Sequence, residues 1–177
     1  LHHFLLRAAN EINTPDRVFM KYKSGEEYID ISYKEALREI NAVAVSLYRL
    51  GLRKGDRVAF ILENSPEYII FDQACMMLGL INASIYPTHT ENEVEYILKD
   101  SGSKAIIVGT AFLLKRILRI DGKGTDLIRI YTAFEPSTPH PKVQSLSSAI
   151  AAGAAEYEAL KGELEAMLNA VAPSDLA

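Results

Sequence analysis

The sequence predicts an α/β fold with a mostly parallel sheet of β-α-β units flanked by helices. Short apolar runs, typical of strands buried on both faces, begin roughly 22 to 25 residues apart, near residues 57, 82, 104 and 127. Between them lie segments with apolar residues at helical spacing. One strand and one helix per interval is the spacing of a parallel sheet.

Composition excludes several other classes of protein. The chain has 177 residues, of which 49% are hydrophobic and 24% charged, as in an ordinary globular domain rather than a disordered, collagen-like or disulfide-stapled chain. The net charge is −4 and no basic stripe is visible, so a nucleic-acid partner is not expected. The single cysteine, Cys75, lies in an apolar run and is interpreted as a core residue. With neither a membrane-spanning run nor a signal-peptide pattern, the sequence predicts a cytoplasmic location.

The first fifty residues predict a helix, a hairpin and a second helix. Residues 4–9 have the pattern of a short helix, and strand-like runs over 18–22 and 28–31 flank a Ser-Gly turn signal. Ser32-Tyr33-Lys34-Glu35 is a capping box, which opens a helix with a regular apolar face. Gly51 supplies the stop signal of that helix.

From residue 57 onward, strands and helices alternate. Asn64-Ser65-Pro66 offers a cap and a first-turn proline, and Thr90-Glu91-Asn92-Glu93 is a second capping box. The predicted elements are a strand over 58–62, a helix from Pro66 to about Leu80, a strand over 83–86, a helix from Glu91 ended by Gly102, a strand over 105–108, a helix over 112–118 and a strand over 127–131.

The last forty residues predict a linker followed by helical segments. Three prolines between residues 135 and 142 exclude regular structure there. Residues 146–151 and 154–170 then show helical patterns. We therefore divide the chain into an α/β N-terminal subdomain over 1–142, which includes the first helix and the hairpin, and a helical segment over 143–177.

No motif in the chain predicts chemistry. Gly122-Lys123-Gly124 lacks the third glycine of a dinucleotide loop and precedes a strand, which is the wrong context. Ser101-Gly102-Ser103-Lys104 matches a Ser-x-x-Lys pattern at the end of a helix rather than at its start. His89 follows a strand's carboxyl end, where open sheets place ligands, but it has no partner at metal spacing and is interpreted as a loop residue. We predict no catalytic, cofactor-binding or metal-binding residue in this chain.

A set of short blocks nevertheless resembles one enzyme family. In order and spacing they resemble the start of the adenylate-forming acyl-CoA synthetases, a superfamily that includes luciferases and the adenylation domains of peptide synthetases. Ile85-Tyr86-Pro87-Thr88 and the helical segment over 146–170 look like the long-chain fatty acid branch. The blocks are Ile31–Glu35, Leu50–Ala59, Glu63–Tyr68, Met77–Ile81, Tyr86–Thr88 and Glu95–Ser101, within residues 12–110.

The resemblance implies a reaction and its cofactors for the parent protein. A long-chain fatty acid–CoA ligase converts a fatty acid, ATP and coenzyme A to acyl-CoA, AMP and diphosphate. ATP, Mg²⁺ and coenzyme A would be the cofactors, the fatty acid would be the substrate, and peripheral contact with a membrane fits that substrate. In the family, a Thr/Ser/Gly-rich phosphate loop follows a segment similar to 173–177.

The chain is therefore expected to be an N-terminal fragment, since Leu1 is not Met and Ala177 falls just before that loop. The fragment is expected to be inactive, to bind no cofactor and to expose apolar surface that favours self-association. Two alternatives stay open. The parent could be another adenylate-forming enzyme, activating aryl or amino acids, or the chain could be a free-standing, non-catalytic α/β binding module.

Overall fold

A computed structural model describes residues 16–172 and 174–175 of the chain. The predicted helix over 4–9 lies outside the described residues. Within them, the α/β fold class is confirmed, with a two-stranded hairpin and a five-stranded parallel sheet. The elements are β1 Val18–Ser24, β2 Glu27–Ser32, α1 Tyr33–Arg49, β3 Arg57–Ile61, α2 Pro66–Met77, β4 Ile81–Ser84, α3 Glu91–Ser101, β5 Ala105–Val108, α4 Ala111–Ile120, β6 Arg129–Thr132, β7 Val143–Ser145 and α5 Leu146–Asn169.

The main sheet has the strand order β4-β3-β5-β6-β7, with every neighbouring pair parallel. After β3 the chain adds β4 on one side, and it then crosses to the other side for β5, β6 and β7. This reversal between β3 and β5 is a topological switch point. Such a point opens a crevice, because the loops that leave the two strands run to opposite faces of the sheet.

Helices cover both faces of the sheet and form two cores. Val58 and Phe60 of β3 pack with α1, α2 and α5, whereas Ala59 and Ile61 of the same strand pack with α3 and α4. This alternation along one strand is the period-two geometry of a pleated sheet. It explains why the strand is an unbroken apolar run in the sequence.

An aromatic cluster forms the centre of the core under α1, α2 and α5. The ring centroids of Phe60 and Phe71 are 5.5 Å apart, and those of Phe71 and Tyr131 are 5.1 Å apart, both nearly edge to face. Each such pair contributes roughly 0.5–1.5 kcal/mol beyond the burial of its area. The cluster joins helix α2 to strands β3 and β6.

The three predicted helix caps are confirmed. Ser32 and Thr90 each cap a helix reciprocally with a glutamate three residues on, and the Ser65 hydroxyl caps α2 ahead of Pro66. Gly102 ends α3 with a φ of 57°, in the left-handed region that glycine adopts without strain.

Several predicted boundaries are wrong by two or three residues. The helix that begins at Pro66 ends at Met77 rather than Leu80, because a turn at Gly79, with a φ of 67°, precedes β4. The strand predicted over 83–86 is observed at Ile81–Ser84, and the one predicted over 127–131 at Arg129–Thr132. An apolar run shows which residues are buried, whereas the bounds of a strand depend on which residues form hydrogen bonds with the neighbouring strand. The edge strand β4 therefore includes the polar Asn82.

The end of the chain differs more from the prediction. Strand β7 was not predicted, and residues 146–151 and 154–170 form one helix, α5, rather than two segments. Gly153, which lies between the two predicted segments, is buried where α5 crosses α1. A Cβ at Gly153 would be 2.0 Å from the Ala42 carbonyl oxygen, so the glycine permits a close backbone approach.

The division of the chain at residue 142 stays a prediction. β7, just after that position, pairs with β6, and α5 packs on α1. Among the helices of the described residues, none combines the length and the apolar character that a bilayer span requires.

Candidate functional site

The switch point opens a crevice at the carboxyl edge of the sheet. Residues 62–65 leave β3 toward α2 on one face, and residues 109–110 leave β5 toward α4 on the other. The space between them measures about 420 Å³. A second cleft of about 690 Å³ lies beside the end of β4 and shares Leu62, Glu63, Asn64 and Pro87 with the first. Together they are the candidate site.

A glycine allows the two loops to touch at the base of the crevice. The Gly109 N–H donates to the Ile61 carbonyl at 3.1 Å, which extends the β3–β5 ladder by one bond. A Cβ at Gly109 would lie 2.7 Å from the Leu62 Cβ, so any larger residue would force the loops apart. The two loops therefore meet at the base of the crevice.

Two helix N-termini and two carboxylates border the crevice. Ser65 caps α2 and Thr110 caps α4, and their hydroxyls accept from Tyr68 N–H at 3.4 Å and Leu113 N–H at 3.3 Å. The helix dipoles favour an anion here, but Glu63 and Glu67 belong to the same lining. Their negative charges oppose the approach of a polyphosphate.

The described residues therefore do not fit the triphosphate of ATP. The crevice has one glycine rather than a glycine-rich loop, and its charged side chains are acidic. Within the described residues no cluster of three or more His, Cys, Asp or Glu side chains could hold a metal ion such as Mg²⁺. The prediction that this chain contains no catalytic, cofactor-binding or metal-binding residue stays a prediction.

Exposed aromatic side chains stand at the rim of the two clefts. The side chains of Tyr86 and Phe112 are 75% and 67% exposed, and Pro87 lies in the lining with Phe112. The Arg116 guanidinium lies over the Phe112 ring at 5.2 Å and donates to the Pro87 carbonyl at 3.4 Å. We call Tyr86 and Phe112 the aromatic rim.

His89 lies beside the second cleft and not in its lining. Its ring centroid is 5.9 Å from that of Tyr86, and its Nδ1 is 3.4 Å from a carboxylate oxygen of Glu93. Arg116 also donates to the His89 carbonyl, and this bond ties the loop between β4 and α3 to helix α4. Hydrogen bonds from Thr90 lower the pKa of Glu93, with a smaller contribution from His89.

A polar network beside the second cleft was missed by the sequence analysis. The hydroxyls of Tyr68 and Ser84 are 3.1 Å apart, and Asn82 Nδ2 donates to Asp72 Oδ1 at 2.9 Å. Burial raises the pKa of Asp72, against the hydrogen bond from Asn82, which lowers it. The sequence does contain a signal for this network. Tyr68 and Asp72 are four residues apart on a helix, and Asn82 and Ser84 are two apart on a strand, so each pair lies on one face of its element.

The other motifs considered in the sequence lie away from the site. Gly122 and Gly124 have positive φ in the turn before β6, and Ser101 to Lys104 form the end of α3 and the loop after it. Cys75 is buried, which raises the pKa of its thiol well above the usual value of 9.0. A thiol in that state is a core residue and not a nucleophile.

Comparisons with known proteins identify related sequences. A family model described as "AMP-binding enzyme" matches residues 7–177. The chain is 30% identical over 112 residues to fatty acyl-CoA synthetase A of Dictyostelium discoideum, a match that covers 63% of this chain and 17% of that protein. It is 35% identical over 98 residues to acetyl-coenzyme A synthetase of Emericella nidulans, covering 54% and 15%.

A third relative has a different named substrate. The chain is 34% identical over 92 residues to 4-coumarate–CoA ligase 3 of Arabidopsis thaliana, covering 52% of this chain and 16% of that protein. The matched part of the chain thus spans about a sixth of the length of each of these relatives.

Solved structures share the fold. The structure of coronafacic acid ligase from Pectobacterium brasiliense superposes with a TM-score of 0.69 at 19% identity, covering 85% of this chain and 29% of that one. The five-stranded parallel sheet with helices on both faces is therefore a known arrangement.

Proposed function

The chain belongs to the AMP-binding enzyme family, and from this premise we propose that it is part of a long-chain fatty acid–CoA ligase. The observation that carries the proposal is the family match over residues 7–177, together with relatives that are CoA ligases. In such a reaction the fatty acid carboxylate attacks the α-phosphorus of ATP and releases diphosphate. The thiol of coenzyme A then attacks the acyl-adenylate, giving acyl-CoA, AMP and a proton.

The fatty acid assignment rests on two observations. The chain resembles the long-chain branch at Ile85-Tyr86-Pro87-Thr88, and one relative is a fatty acyl-CoA synthetase. The segment follows the end of β4, and its first three residues line the larger cleft. An aryl acid is the second candidate substrate, because the chain is 34% identical to a 4-coumarate–CoA ligase.

In this proposal the described residues supply the scaffold and not the ATP chemistry. The acidic crevice does not fit a triphosphate, and no described cluster fits Mg²⁺. When bound, ATP and Mg²⁺ supply the activation of the carboxylate, and coenzyme A supplies the thiol. The groups that hold them would then lie outside the described part of the chain.

A substrate panel on the complete gene product tests the proposal. Palmitate, acetate, 4-coumarate and phenylalanine would each be incubated with Mg·ATP and coenzyme A, and diphosphate release and thioester formation measured. We expect palmitate to have the highest kcat/KM, by at least about tenfold, since several buried methylenes distinguish it. A preference for 4-coumarate would establish the second candidate, and no diphosphate release with any acid would overturn the ligase proposal.

The 177-residue chain alone is the matched comparison. We expect it to show no ligase activity and no tight binding of Mg·ATP by calorimetry, because its crevice is acidic. Saturable binding in the micromolar range would contradict our placement of the nucleotide outside the described residues.

For the parent enzyme we propose a cytoplasmic location with peripheral membrane contact, which cell fractionation would test.

A further inference from the structure

A separate cavity lies away from the aromatic rim, under helices α1 and α5. It measures about 230 Å³ and opens to solvent at one side. Strands β6 and β7 form its floor. Most of the lining residues carry polar groups, and these residues are Ser46, Arg49, Arg129, Tyr131, Gln144 and Glu156.

The fold brings these side chains together from four elements. Arg129 and Tyr131 are two residues apart on β6 and so share one face of the sheet, and Gln144 pairs with Tyr131 across the β6–β7 ladder. Ser46 and Arg49 are three residues apart on α1, on one side of that helix. Because the pairing depends on β7, which the sequence did not reveal, the site is visible only in the fold.

The guanidinium of Arg129 has no hydrogen-bond or ion-pair partner among the described residues. Its Nε atom is inaccessible to solvent and makes no hydrogen bond. Within the described residues no carboxylate pairs with its guanidinium. Buried polar groups in native proteins almost always have a partner, and a guanidinium presents donors in a fork that matches a carboxylate. Arg129 is therefore the lining residue that a carboxylate matches best, and because its Nε is inaccessible, the terminal nitrogens of the guanidinium are the donors that such a ligand would meet.

Arg49, by contrast, already has its partner. Its guanidinium contacts the Glu156 carboxylate twice, with Nε at 2.8 Å and Nη2 at 2.7 Å. This pair closes the outer side of the cavity and cancels its own charge. Only the single positive charge of Arg129 remains, and Glu156 would repel a doubly charged anion.

The hydroxyls at the base of the cavity add a donor. Ser46 Oγ and Tyr131 Oη are 2.9 Å apart, and in such a pair one O–H donates to the other oxygen while the second stays free. Burial raises the pKa of Tyr131, against the hydrogen bond from Ser46 and the charge of Arg129, so the phenol keeps its proton at neutral pH. The Gln144 amide supplies further donors.

We propose that this cavity is a binding site for a small monocarboxylate, held by the Arg129 fork, the Ser46–Tyr131 hydroxyls and the Gln144 amide. A planar carboxylate with one negative charge matches both the fork and the net charge. The proposal does not depend on the ligase function, since none of these residues belongs to the crevice at the carboxyl edge.

Acetate is the probe that tests it. The ¹⁵N-labelled 177-residue chain would be titrated with sodium acetate at constant ionic strength, and the NMR signals of the Arg129 Nε–H and the Gln144 side-chain amide followed. We expect both to shift saturably, with a Kd on the order of 1 mM, as for a ligand with so few non-hydrogen atoms. No saturable shift up to about 50 mM would overturn the site.

A conservative variant tests the role of the fork. Arg129→Lys keeps the charge but loses the planar pair of donors, so we expect acetate to bind about tenfold more weakly. Arg38→Lys, an exposed arginine on α1, is the matched control and should leave the Kd unchanged. An unchanged Kd in Arg129→Lys would overturn the assignment of the fork. Phosphate or chloride binding as tightly as acetate would overturn the assignment to carboxylates.

Discussion

The smallest residue in α5 sets the distance between the two longest helices. Gly153 is buried where α5 crosses α1, and no side chain larger than hydrogen fits against the backbone of Ala42. Gly162, on the same helix, has open space around its Cα, and a methyl group placed there would meet no atom within 4 Å. The two glycines have the same helical propensity, but only Gly153 is packed against another helix. Comparing substitutions at the two positions therefore separates packing from propensity.

Gly153→Ala should destabilise the protein by about 1–3 kcal/mol, the usual range for forced overpacking. Gly162→Ala should instead stabilise it by up to about 1 kcal/mol, because alanine is the better helix former. Urea unfolding at fixed temperature measures both changes. Equal effects of the two substitutions would show that α1 and α5 do not make the close approach described.

One of the blocks that carry the family resemblance has a structural role, at the turn that leads into β3. Asp56, in the Lys54-Gly55-Asp56 turn, accepts from the Arg53 N–H at 2.9 Å and pairs with Lys104 at 2.6 Å. Although burial opposes it, the bonds from Lys104 and Arg53 lower the pKa of Asp56. These contacts fix the entrance to β3, and none of them lies at the crevice.

At the scale of elements, helix starts are determined by short-range hydrogen bonds. In the cap of α3, the Glu93 carboxylate accepts from Thr90 N–H at 2.7 Å and from Thr90 Oγ1 at 2.8 Å. The same bonds lower the pKa of Glu93 below its ordinary value of 4.5. A carboxyl group with a lowered pKa stabilises the fold above its unfolded-state pKa and loses that contribution as the pH falls through its folded-state pKa.

Glu93→Ala should therefore lower the urea midpoint at pH 7, and the difference from the original protein should shrink as the pH falls below about 4.5. Glu158→Ala, on the exposed side of α5, removes a carboxylate without a capping bond and serves as the control. A difference that stays constant from pH 7 to about pH 3 would contradict the capping role.

Element boundaries show where local signals end. Thr90 and Ser32 were predicted as caps and are caps, because the partners of a cap lie within three residues. β7 was missed because it has only three residues and forms by pairing with β6, which ends eleven residues earlier. No local pattern marks a strand whose stability comes entirely from its neighbour.

At the scale of the whole molecule, the strand order places exposed aromatic surface at one edge. The aromatic rim of Tyr86 and Phe112 stands above the clefts at the carboxyl ends of the strands. Exposed apolar surface of this kind favours association in solution. Tyr96, which is 67% exposed on α3, lies apart from those linings and supplies the control.

We expect the 177-residue chain to self-associate with increasing concentration in sedimentation velocity. The double variant Tyr86→Ser, Phe112→Ser should shift the equilibrium toward monomer, because it removes the largest apolar area of the rim. Tyr96→Ser should leave the equilibrium nearly unchanged. A clean monomer at high concentration in the original chain would contradict the prediction.

The sequence by itself determined the fold class, the capped helix starts, the hairpin and the family. These depend on apolar periodicity, on caps with partners three residues away and on short blocks of residue types, all of which are local. Only the tertiary structure decided the strand order, the single long helix through Gly153 and the cavity around Arg129. Each of these depends on groups distant in sequence, such as Ala42 with Gly153 and Arg129 with Gln144, whose proximity is set by packing and strand pairing and leaves no signal in either segment alone.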